Sequence, residues 1–109
     1  MSEVPTNRQI EETARKYLKD RIKGSIFVKM KEKNDEEEID TLYININSNG
    51  IVYTDELKLP GETFEMINQN LAFVETLASM VFDSFKKYID SRFYVQDKPK
   101  TYRKINNNK

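Results

Sequence analysis

Apolar and polar positions along this chain change their period twice. Between residues 6 and 23, Ile10, Ala14, Tyr17, Leu18 and Ile22 recur at three- and four-residue spacing, which turns one helix face toward a core. Thr6-Asn7-Arg8-Gln9 precedes them as a capping box, the threonine hydroxyl accepting from a first-turn N–H and the glutamine reaching back. Gly24 stands where a left-handed residue would close the helix.

From residue 25 the period drops to two. Ile26, Val28 and Met30 alternate with Phe27, Lys29 and Lys31, predicting a first strand over 25–32. A polar connection leads into a second strand over 39–47. Asn49-Gly50 between alternating runs then predicts a hairpin into a third strand over 51–59. Such a turn places even-numbered residues of the second strand on one face with odd-numbered residues of the third. That face collects Leu42, Ile44, Ile46, Ile51, Tyr53, Leu57 and Leu59, and Asp55 among them predicts a bend or bulge. Pro60-Gly61 ends the sheet.

The helical period returns over residues 62 to about 91. Phe64, Ile67, Leu71, Val74, Ala78, Val81, Phe85 and Tyr88 form a strict three-four seam, flanked by Met66, Phe73, Leu77, Met80, Phe82 and Ile89. This apolar arc is wider than the roughly 100° of an ordinary surface helix. Either the helix packs on the sheet and the first helix together, or the surplus pairs with a second copy or a partner. Pairing across a two-fold axis, a homodimer, is the expected use of any surplus. One unbroken helix of this length would span roughly 45 Å, more than the roughly 34 Å diameter of a domain of this size. It should therefore overhang, kink or be covered by Phe93, Tyr94 and Val95, which could form a short extra strand.

The expected fold is α+β with the order α-β-β-β-α. It is a three-stranded antiparallel meander with an N-terminal helix and a long C-terminal helix packed on one face. Residues 1–96 read as a single domain and 97–109 as a basic flexible tail.

Composition narrows the chemistry. Of 109 residues, 18 are basic and 18 acidic, so bulk attraction to nucleic acid is not expected. With neither Cys nor His, thiol nucleophiles, thiolate sites and the commonest general base are missing. The three glycines, Gly24, Gly50 and Gly61, make no phosphate-binding loop. The expectation is a protein that is not an enzyme and needs no cofactor or metal. The start lacks an apolar signal region and no long apolar run follows, so a cytoplasmic protein without membrane contact is expected.

Three surfaces are candidates for function. The first is the acidic run Glu32 to Asp40, where Glu36, Glu37, Glu38 and Asp40 would be either a solvated loop or a patch steering docking onto a basic surface. Its spacing does not fit a calcium loop. The second is the basic tail, where Arg92, Lys98, Lys100, Arg103 and Lys104 would grip phosphates if the protein served as a nucleic-acid accessory, or would merely solubilise it. The third is the second sheet face, where Phe27, Tyr43 and Val52 sit among Lys29, Lys31, Asn45, Asn47 and Thr54. An aromatic cluster rimmed by amides and lysines is suited to binding a protein. An open sheet edge could also accept a strand.

Over residues 6–91 the element order resembles that of the double-stranded-RNA-binding domain. That family grips phosphates with a lysine-rich start to its second helix. Here the matching stretch, Pro60-Gly61-Glu62-Thr63-Phe64-Glu65, is acidic and would repel them. The order also resembles small proteins of Gram-positive phages and mobile elements, anti-CRISPR inhibitors among them. That resemblance implies an inhibitor or adaptor that uses acidic side chains to occupy the nucleic-acid site of an enzyme.

Overall fold

The computed structural model describes residues 4–36 and 38–97, the last six by their backbone alone. The elements run α1 (Asn7–Lys19), β1 (Ser25–Lys31), β2 (Asp40–Ser48), β3 (Ile51–Leu59), α2 (Gly61–Gln69) and α3 (Phe73–Asp97). The strands form one antiparallel sheet in the order β1-β2-β3, and α1 and α3 pack on the same side of it.

The capping box forms as its residues require. Gln9 N donates to Thr6 Oγ1 at 3.1 Å, and Thr6 N donates to Gln9 Oε1 at 2.8 Å. The helix ends at Lys19, earlier than its apolar spacing predicts, yet Ile22 remains buried beyond it. Arg21 closes this end by donating to the Tyr17 carbonyl at 3.0 Å and lying 3.6 Å over the Tyr17 ring. Gly24 is therefore not the helix cap. Its φ of +147° lets the chain pass against β2, where a Cβ would collide with the Asn47 carbonyl oxygen. Ser48 Oγ, donating to the Lys23 carbonyl at 2.6 Å, fixes the same approach.

Asn49 and Gly50, with φ of +53° and +80°, make the two-residue turn that suits the twist of a hairpin. It sets Ser48 opposite Ile51 and continues without interruption to Asp40 opposite Leu59. The bulge expected at Asp55 does not occur. Asp55 pairs in register with Ile44, and its carboxylate accepts from Tyr53 Oη at 3.3 Å and from Glu56 N at 2.8 Å. A polar side chain on the core side of an edge strand is thus satisfied without displacing the backbone.

The core lies between the sheet and helices. Ile26, Val28, Met30, Leu42, Ile44 and Ile46 from the strands meet Ile10, Ala14 and Leu18 from α1 and Val74, Ala78, Val81 and Phe85 from α3. The C-terminal apolar seam is not one helix. Asn70 takes an extended conformation (φ −154°, ψ 105°), ending α2, and its Oδ1 accepts from Ala72 N at 3.1 Å at the start of α3. The break lets Ile67 of α2 and Val74 of α3 both be buried in one core. Met66 and Met80 stay exposed. The backbone of residues 93–95 continues α3, so no fourth strand forms there.

The uncovered sheet face and the acidic loop

Side chains alternate across a strand, so residues next to the core ones point away from the helices. Phe27 is 56% exposed and Val52 53% exposed on that side, while Tyr43 is half-buried. The Phe27 and Tyr43 rings meet edge to face, their centroids 6.2 Å apart and planes at 69°. Phe27 pairs with Asn45, and Val52 with Asn47. The three expected anchors therefore divide into an aromatic pair and a separate valine across two asparagines. Between them Asn45 Nδ2 donates to Thr54 Oγ1 at 3.0 Å.

Charge is organised around Tyr43. Its neighbour in the register is Glu56 on β3 and Lys29 on β1. Lys31 Nζ lies 4.7 Å from the centroid of the Tyr43 ring and 3.6 Å from Glu56 Oε2. Beside these groups an open hollow of about 240 Å³ is lined by Lys31, Glu32, Asn34, Thr41 and Glu56. Thr41 is buried there although its parity assigns it to the uncovered face. Glu32 and Asn34 belong to the acidic loop, so the structure joins the two candidate surfaces in one hollow.

The loop is held at its ends. Asn7 Nδ2 donates to Glu32 Oε2 at 2.6 Å, tying the loop to the start of α1. Glu36 N donates to Asn34 Oδ1 at 2.8 Å, a local turn made by the asparagine itself. Lys33 N donates to Asp40 Oδ1 at 2.6 Å, so Asp40 closes the base of the loop. Glu36 and Glu38 remain exposed, and Glu37 lies outside the described residues. Of the four acids singled out in the sequence, Asp40 serves the loop's shape as well as its charge.

Both outer edges of the sheet carry a carboxylate plug. Glu11 Oε2 accepts from Met30 N at 2.7 Å on β1, and Asp55 Oδ1 accepts from Glu56 N on β3. Backbone groups bonded in this way are less open to an added strand. On the core side, Tyr53 stacks near Phe85 and Tyr88, with centroids 5.8 and 5.2 Å away. Burial, followed by the adjacent Asp55 charge, raises its phenol above the ordinary value of 10.0.

The tail residues Lys98, Lys100, Arg103 and Lys104 lie outside the described residues, as does the side chain of Arg92. Among the described residues, no group of three or more acids is arranged to hold a metal ion, and no helix is long and apolar enough to cross a membrane. Glu56, Thr41 and Asn34 were not singled out in the sequence. The Asn-Gly turn carries a signal for Glu56, because a two-residue loop sets it opposite Tyr43. Thr41 and Asn34 follow only from how the longer loop folds back. No protein-family model matches the chain, and neither a curated protein nor a solved structure matches it significantly.

Proposed function

We propose that this protein is a non-enzymatic binding module that docks a protein partner on the uncovered sheet face, with the acidic loop steering the approach. The observation that carries this reading is the Phe27–Tyr43 pair, ordered edge to face yet left open with Phe27 56% exposed. Aromatic anchors of this kind dominate interface energies. Glu36 and Glu38 beside the face favour a partner with a basic surface, for which charge complementarity speeds encounter. A nucleic-acid enzyme offers such a surface. The resemblance of its element order to phage and mobile-element inhibitors favours the same partner class.

The test starts from proteins captured out of source-cell lysate by the wild type and by two variants, quantified by mass spectrometry and followed by binding kinetics. The double change Glu36→Lys and Glu38→Lys should slow association about tenfold or more at low salt. Phe27→Ala should leave association near the wild-type rate and speed dissociation. A partner whose two rates are unchanged in both variants does not use this surface, and the reading falls.

A further inference from the structure

The cation already resting on Tyr43 belongs to the chain itself. Lys31 Nζ lies over the ring and beside the Glu56 carboxylate, at the mouth of the hollow floored by Thr41 and walled by Glu32 and Asn34. An exposed ion pair of this kind holds a lysine in place by no more than about fivefold. A guanidinium uses the same surroundings better. Its plane stacks on an aromatic face, and its forked donors meet a carboxylate through two hydrogen bonds where an ammonium makes a point contact. Lys29 stands opposite Tyr43 on β1, whereas at the loop end the exposed Glu36 and Glu38 outnumber the one lysine beside them, Lys58, so an incoming cation is favoured from that end.

Resting on the docking reading above, we infer that Lys31 is a placeholder and that the Tyr43–Glu56 seat receives an arginine side chain of the protein partner. On docking, Lys31 swings out and its charge is taken up by the carboxylates of the loop. Net charge in the seat is then conserved, and the exchange costs little electrostatic energy. A nucleic-acid base stacked on Tyr43 is disfavoured, because its phosphates would lie beside Glu32, Glu36 and Glu38.

The seat can be tested without the partner. The Tyr43 ring and Glu56 backbone signals are followed by NMR while N-acetyl-arginine methylamide is added to the full chain. The neutral citrulline analogue and a hexathymidylate are run in parallel. The arginine compound should shift both signals saturably, and the other two should not. Lys31→Ala should tighten its binding by up to about fivefold, since an internal competitor is removed. Glu56→Gln and Tyr43→Ala should each weaken it about threefold or more, with the remaining spectrum showing the fold unchanged. Equal shifts at every exposed carboxylate, unchanged or weaker binding in the Lys31 variant, or a preferential response to the oligonucleotide each overturn the inference. The docking reading is judged separately by Phe27→Ala, which lies beside the seat. If that variant still releases the partner faster while Lys31→Ala has no effect on arginine binding, only the seat is lost.

Discussion

The two faces of one sheet, built from alternate residues of the same three strands, have opposite fates. On β1, Ile26, Val28 and Met30 are buried at 8% exposure or less, whereas Phe27, between the first two, is more than half exposed. On β2, Ile44 is fully buried while its neighbour Tyr43 reaches the surface. Both bear large apolar side chains, but the open face sets them among Lys29, Lys31, Asn45, Asn47, Thr54 and Glu56, and only the other is met by α1 and α3. The closed face supplies burial energy. The open one keeps an aromatic pair and a lysine–tyrosine–glutamate contact that exposure makes worth little to folding and leaves available to a partner.

The comparison breaks most plainly by truncating neighbours across it. Ile44→Ala should cost about 2–5 kcal/mol in urea unfolding, because it opens a cavity in a packed core. Tyr43→Ala, one residue away, should cost less than about 1.5 kcal/mol, the scale of an exposed ring contact. Comparable losses for the two would mean that the second face is covered in solution.

A smaller effect is expected where both faces depend on the same backbone. Gly24→Ala touches no core side chain, yet its methyl meets the Asn47 carbonyl and its φ lies in a region that favours glycine. A loss on the order of 1–3 kcal/mol should appear in thermal unfolding. An unchanged melting temperature would show that β1 can enter the sheet by another path.

The smallest effect belongs to Tyr53, on the rim of the closed face. Its folded pKa is raised, so the unfolded chain ionises first as pH rises. The stability this contributes is present below pH 10.0 and is lost as pH climbs through the higher folded value. Tyr53→Phe should flatten that decline in alkaline denaturation curves. An equally steep decline in the variant would place the responsible group elsewhere.

Local chemistry is what makes so much of this fold readable from its residues. Thr6 and Gln9 cap a helix by bonds that reach three residues, and Asn49-Gly50 sets the register of β2 on β3 because a two-residue turn admits only one. Parity then assigns Phe27, Tyr43 and Val52 to a common face. The register of β1 on β2 is not local in this sense. The long connection between them could close at several lengths, and Gly24 passing Asn47 helps settle the choice. For that reason Lys31 over Tyr43 was not legible, although both residues were.

The break at Asn70 has the same origin. The three-four apolar seam runs through it unaltered, and Asn68-Gln69-Asn70 is the one polar run that hints at an interruption. Helix propensity and periodicity depend on neighbours within a turn or two, so the sequence by itself determined element types, the hairpin and the identity of the apolar faces. Where α2 must stop so that Ile67 and Val74 can both reach the core was decided by the tertiary structure. So was the placing of Lys31 over Tyr43, because packing answers to residues far apart in the chain whose fit no local pattern encodes.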